Sequence, residues 1–137
     1  MAKTYVTRRE VFCASHLLWN KEFSDEQNFE IYDKCANPNG HGHNYILEVT
    51  VAGEIKNDTG YMIDFKKLRQ LVRTEIVDKV DHKHLNFDVD FLHDVIPTAE
   101  NLAVAFWNIL EPKIADGELY AVRLRETENN VVEYRGE

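Results

Sequence analysis

Cys35 stands six residues before His41 in the run Cys35-Ala36-Asn37-Pro38-Asn39-Gly40-His41-Gly42-His43-Asn44-Tyr45. On a β-strand, whose side chains alternate between faces, His41 and His43 point the same way and can grip one metal ion. His41, His43, Tyr45, Leu47, Val49 and Val51 share one parity, whereas Asn44, Glu48 and Thr50 share the other, so the strand has an apolar face that begins with two histidines. An H-x-H by itself more often merely begins a strand. Here a third histidine, His16, lies on the parity of Phe12 and Ala14 in an earlier strand-like stretch, and with the nearby cysteine it turns the balance toward a metal site. Three imidazoles leave a fourth position for water or substrate, the arrangement of a catalytic metal. Imidazole ligands suit Zn2+ best among the common ions, although iron, nickel and copper also accept them.

The spacing leaves three roles open for Cys35: fourth metal ligand, buried inert thiol, or catalytic thiolate. A free thiol has a pKa of about 8.5, so catalytic work near neutral pH needs a histidine or a positive charge beside it. Asp81-His82 offers such a partner, because a carboxylate on one imidazole nitrogen fixes the tautomer and leaves the other free to exchange a proton. An isolated Asp-His dipeptide is more commonly a solvated pair. Glu126 shares parity with Val122 and Leu124 on an apolar strand face, where a carboxylate is costly unless paired. Either a ligand with two adjacent N–H donors pairs with it, or Arg123 or Arg125 does, or it is simply exposed near a turn. Thr98 and Glu100 have the ordinary explanation of helix capping and dipole stabilisation. Cys13, mid-strand, reads as a small core residue, and His84 and His93 read as solvated loop residues.

The elements that must position these groups follow from the periodicity. Thr4 to Leu18 reads as a strand, and Ser24-Asp25-Glu26-Gln27 is a capping box opening a short helix from about Asp25 to Asp33. A strand from about Gly42 to Ile55, the turn Asn57-Asp58-Thr59-Gly60 and a short strand Tyr61 to Ile63 read as a hairpin. Asp64 caps a helix whose stripe is Phe65, Leu68, Leu71, Val72, Ile76 and Val80. A polar-aromatic loop spans Asp81 to Pro97, Thr98 starts a second long helix, and Leu119 to Thr127 with Val131 to Arg135 form a closing hairpin. The expected fold is α+β, an antiparallel sheet of about four strands with two long helices packed on one face. It has exposed edges and a second face to cover, and self-association is one way to cover them.

The 137 residues are expected to form one domain, 1–137. A formal charge of -8 with no Lys/Arg block argues against a nucleic-acid partner. No apolar run approaches the roughly 20 residues that cross a bilayer, and the N-terminal residues lack a signal peptide's apolar core, which makes a cytoplasmic location the default expectation. Both cysteines are read as thiols.

Five ordered motifs, Phe12-Cys13-Ala14-Ser15-His16, Cys35 to Tyr45, Val80-Asp81-His82-Lys83, Thr98-Ala99-Glu100-Asn101 and Arg125-Glu126-Thr127, resemble those of the 6-pyruvoyltetrahydropterin synthases, and the resemblance covers nearly the whole chain. It implies the tunnelling fold (T-fold), trimers whose sheets join into a barrel, and homohexamers made from two trimers with sites at subunit interfaces. It implies a zinc ion on His16, His41 and His43, and a proton-transfer triad of Cys35, Asp81 and His82 that need not come from one chain. Glu126 would anchor the pterin, with Thr98 and Glu100 lining the pocket. The implied reaction converts 7,8-dihydroneopterin triphosphate to 6-pyruvoyltetrahydropterin and triphosphate without a redox cofactor, in tetrahydrobiopterin biosynthesis. Arg8, Arg9 and Lys83 are candidates for the triphosphate. Ala99 stands where the family often has a second threonine, so one polar contact to the pterin is missing or comes from backbone. The related 6-carboxytetrahydropterin synthases of queuosine biosynthesis usually have three residues between cysteine and H-G-H; this chain has five, Ala36 to Gly40, which ranks the pyruvoyl product first. The other readings are a pterin-binding module without turnover and a purely structural metal.

Overall fold

The structure, a computed structural model, describes residues 2–137. Two long strands form its spine: β1 (Lys3–His16) and β2 (His41–Glu54) pair antiparallel in unbroken register from Lys3 opposite Glu54 to His16 opposite His41. Between them lie helix α1 (Asp25–Tyr32) and a 3-10 turn, Asp33–Ala36. The capping box is formed: Ser24 Oγ accepts from the Gln27 N–H, and Gln27 Oε1 accepts from the Ser24 N–H.

Helix α2 begins at Phe65, capped by the Asp64 carboxylate on the Lys66 N–H, and is α-helical to Val72. It widens to a π turn over Arg73–Val77 and ends with the α turn Asp78–Val80. Arg73 donates from Nε to Glu10 Oε1 at 2.8 Å, giving that carboxylate, buried on the helix-facing side of β1, a basic partner. After the two-residue strand β3 (Lys83–His84) and a 3-10 turn at Asp90–Leu92 comes α3 (Ala99–Leu110), capped by Thr98. Strands β4 (Glu118–Thr127) and β5 (Asn130–Tyr134) close the chain.

The sheet order is β3-β1-β2-β4-β5. All pairings are antiparallel except β1 with β3, where Ala14 faces Lys83 and Ser15 faces His84 in parallel. The sheet is therefore mixed and five-stranded instead of antiparallel with about four strands, because two residues are too few to leave a periodic signal. The expected strand Tyr61 to Ile63 is absent as well. Lys56 donates to the Tyr61 carbonyl and Gly60 to the Lys56 carbonyl, so the segment folds into a turn that buries Met62 and Ile63 without joining the sheet. The hairpin spine is β1 with β2.

One sheet face is buried under the helices: Phe12 and Ala14 from β1, Tyr45, Leu47, Val49 and Val51 from β2, and Val122 and Leu124 from β4 pack with Leu68, Val72 and Ile76 of α2 and Leu102 and Phe106 of α3. Phe12 and Tyr45 stack with centroids 4.9 Å apart, directly beneath the histidines. Phe65 departs from its predicted stripe and is 70% exposed. Cys13 is also misplaced by the core expectation. It lies on the parity opposite Phe12 and is exposed.

Candidate metal centre and its surroundings

The β1–β2 register is what assembles the three histidines. His16 pairs with His41 at the end of the ladder and Ala14 pairs with His43, so two strand ends deliver three imidazoles to one corner. One ligating atom from each lies within 4.8 Å of the others, and His16 Nε2 is 3.1 Å from His41 Nε2. His16 is 1% exposed. Its Nδ1 is 2.8 Å from the Pro97 carbonyl oxygen, which can only accept, so Nδ1 carries the proton and Nε2 keeps its lone pair for the cluster.

Burial is the main reason the His16 pKa falls to about 4, helped by His41 and His43 and opposed by the Pro97 hydrogen bond. His43 is lowered too, by burial first and against the pull of Glu126. Neutral imidazoles are the form that binds metal. His41 Nδ1 and His43 Nε2 are buried with no hydrogen-bond partner among the described residues, and a buried polar atom left in that state is costly. Converging lone pairs, fixed tautomer and orphaned nitrogens all fit a divalent metal ion.

Gly40 sets the entry into this corner. Its φ is +76°, and a Cβ there would lie 3.0 Å from His84 Nε2 and 3.1 Å from the His16 carbonyl oxygen. His84, expected in a solvated loop, is half-buried beside the metal corner. Its Nδ1 accepts from the Asn86 N–H, and burial lowers its pKa. Asn86 in turn brackets Leu17, accepting from its N–H and donating to its carbonyl, both at 2.9 Å, which fixes the chain just past His16. The signal for both residues is β3, which periodicity does not reveal. His93 is solvated as expected.

Cys35 lies in the 3-10 turn after α1, where its carbonyl accepts from the Leu18 N–H at 2.7 Å. It lines a cavity of about 720 Å³ with Phe29, Lys34, Asn37, His41 and His43. Burial pushes the thiol up, and the Glu126 and Asp33 carboxylates add to this. Glu126 sits at the β4–β5 bulge between Arg125 and Thr127, on the side of Val122 and Leu124. Its carboxylate oxygens lie 3.7 Å from His43 Nε2 and 3.9 Å from His16 Nε2. The arginine partners are otherwise engaged: Arg123 with Glu133 and Glu48, Arg125 with the Glu128 carbonyl.

Asp81 and His82 form a pair, with Asp81 Oδ2 3.0 Å from His82 Nδ1. Asp81 Oδ1 accepts from the Cys13 N–H at 2.9 Å, and this bond is the first reason the carboxyl is held below its usual range. The His82 N–H donates to the Cys13 carbonyl at 2.6 Å. His82 is 81% exposed at the β1 edge of the sheet, and neither residue lines the Cys35 cavity. Within one chain the pair and the thiol are not brought together. Thr98 accepts from the Asn101 N–H as a helix cap and Glu100 is exposed in the first turn of α3; neither lines that cavity, although Pro97 ties their helix to His16. Arg8 pairs with Glu10.

A sequence profile of the 6-pyruvoyl tetrahydropterin synthase family matches residues 5–137. The Homo sapiens 6-pyruvoyl tetrahydrobiopterin synthase is 46% identical over 132 residues, covering 96% of this chain and 91% of the relative. The Dictyostelium discoideum enzyme of that name is 45% identical over 138 residues, covering 100% of both. The solved structure of Caenorhabditis elegans 6-pyruvoyl tetrahydropterin synthase superposes with a TM-score of 0.94 at 35% identity, over 100% of this chain and 98% of that one.

Proposed function

The chain belongs to the 6-pyruvoyl tetrahydropterin synthase family, and from that premise we propose that it is a zinc-dependent lyase. It converts 7,8-dihydroneopterin triphosphate to 6-pyruvoyltetrahydropterin and triphosphate. The observation that carries this reading is the convergence of His16, His41 and His43 beside a cavity that Cys35 lines. The pyruvoyl product is ranked above the carboxy product because five residues separate Cys35 from His41.

A zinc ion held by the three imidazoles supplies Lewis-acid stabilisation for charge developing on the substrate's side-chain oxygens. The remaining work belongs to the chain. Glu126 accepts from the adjacent ring N–H and amino groups of the pterin and fixes its orientation. Thr98 and Glu100 border the pterin from the start of α3. Cys35, as thiolate, removes a carbon-bound proton next to the developing carbonyl and returns it at the neighbouring carbon after triphosphate leaves. Loss of triphosphate followed by keto-enol shifts is redox-balanced within the substrate, so no external electron carrier enters.

Partial burial and the Glu126 and Asp33 carboxylates raise the Cys35 pKa and disfavour its thiolate, so activation calls for a base. The exposed Asp81–His82 pair of a neighbouring chain meets that need: Asp81 holds Nδ1 and leaves Nε2 directed outward. On this reading the working site lies between subunits of a homohexamer, and the protein works in the cytoplasm. The test is triphosphate release from 7,8-dihydroneopterin triphosphate by the zinc-loaded protein. Release at a rate that Cys35→Ala abolishes is the expected result, and pterin binding without release at any zinc loading would reduce the protein to a binding module.

A further inference from the structure

Glu126 carries a role that pterin anchoring alone does not explain. The carboxylate is only 25% exposed, and among the described residues no lysine or arginine pairs with it, Arg123 and Arg125 being bound elsewhere. It is turned onto two imidazole nitrogens of the metal corner: His16 Nε2, whose ring is fixed by Pro97, and His43 Nε2, which is buried and without a hydrogen-bond partner among the described residues. Separations of 3.7 and 3.9 Å are too long for hydrogen bonds. They are close to the roughly 3.4 Å that separates two ligand atoms sharing a tetrahedral zinc, given metal–ligand distances of about 2.0–2.2 Å. A carboxylate facing neutral imidazoles in a half-buried corner costs free energy unless a cation joins them.

We propose that Glu126 is the fourth protein ligand of the metal in the substrate-free protein, and that it is exchangeable. The β4–β5 bulge aims its side chain at the corner instead of leaving it in the ladder. When the substrate arrives, its side-chain oxygens would compete for the metal held by His16, His41 and His43 and displace the Glu126 carboxylate from it. The exchange step rests on the function proposed above; the resting ligation does not. The corner is then closed to water chemistry until the substrate that unlocks it is bound.

The test uses metal-stripped protein titrated with zinc in competition with a chromophoric chelator, for wild type, Glu126→Asp and Glu126→Gln, with circular dichroism confirming each fold. Glu126→Gln should bind zinc about 10-fold to 100-fold more weakly, with Glu126→Asp in between because it keeps a carboxylate. In the cobalt(II)-loaded proteins, the visible absorption of Glu126→Gln should differ from wild type, and adding 7,8-dihydroneopterin to wild type should move its spectrum toward that of the variant. Equal zinc affinity for all three proteins would overturn the proposal. So would a weaker Glu126→Gln whose cobalt spectrum is unchanged, since the carboxylate would then only sit near the ion. Absence of triphosphate release would count against the synthase reading but leaves the affinity and cobalt comparisons readable.

Discussion

His16 and Pro97 are joined by a 2.8 Å hydrogen bond across 81 residues of sequence, from the imidazole Nδ1–H to the proline carbonyl. That single contact fixes the tautomer of a metal-facing histidine and ties the start of α3 to the end of β1. Fold and metal binding are therefore separable at this residue. His16→Asn keeps a donor near the Nδ1 position and removes Nε2, so it should hold most of its stability while zinc affinity falls at least 10-fold. His16→Ala leaves a cavity and an unpaired carbonyl, and should lose about 2–4 kcal/mol as well. Thermal unfolding and zinc titration of the two variants check this.

Gly40 should tolerate no side chain. Gly40→Ala places a Cβ at positive φ, 3.0 Å from His84 Nε2 and 3.1 Å from the His16 carbonyl oxygen. A loss of about 1–3 kcal/mol is expected from backbone strain and the shift of neighbours, with weaker metal binding. Removing the ring in Gly40→Ala/His84→Ala should recover part of this loss. The rest should remain, because the second obstacle is backbone. Denaturant unfolding of the two single variants and the double variant measures the coupling.

The Cys35 thiol of the metal-stripped protein should react slowly at neutral pH. Burial, Glu126 and Asp33 all disfavour the thiolate, so the alkylation midpoint lies above that of an ordinary cysteine. As pH rises through that raised value, the rate should climb. Asp33→Asn and Glu126→Gln each remove a negative charge, move the midpoint down and speed alkylation several-fold at a fixed neutral pH. Iodoacetamide labelling in a Cys13→Ser background, followed by mass spectrometry, reads this directly.

If the thiol and its base come from different chains, Cys35→Ala and His82→Ala should each be inactive as pure assemblies and regain activity when co-expressed. In mixed assemblies some interfaces pair an intact Cys35 with an intact Asp81–His82. Triphosphate release by co-purified, differently tagged chains tests this. Continued inactivity of the mixture would place both groups in one chain's site.

Much of this architecture is legible in the sequence because it depends on period. The parity of His41, His43 and Tyr45 with Leu47 to Val51 predicts the face that the metal corner occupies, and the Ser24–Gln27, Asp64 and Thr98 caps start their helices where expected. What escaped has too short a range for periodicity or depends on pairing between distant segments. Strand β3 is two residues long, and with it went the half-buried setting of His84 and the Asn86 clamp on Leu17. Cys13 has the composition of a core residue, but its parity faces it away from the helices. Glu126 was visible as a carboxylate on an apolar face. That it turns toward two histidines depends on the bulge at Arg125 and Thr127, a register detail that single-strand alternation does not encode.

The pyruvoyl and carboxy reactions differ in which bond the corner breaks and what it leaves behind. The most direct measurement is product identification by mass spectrometry after incubating the zinc-loaded protein with 7,8-dihydroneopterin triphosphate, with acetaldehyde assayed in the same reaction. 6-Pyruvoyltetrahydropterin and triphosphate are expected in equal amounts, with no acetaldehyde. A 6-carboxytetrahydropterin product accompanied by acetaldehyde would contradict the pyruvoyl reading.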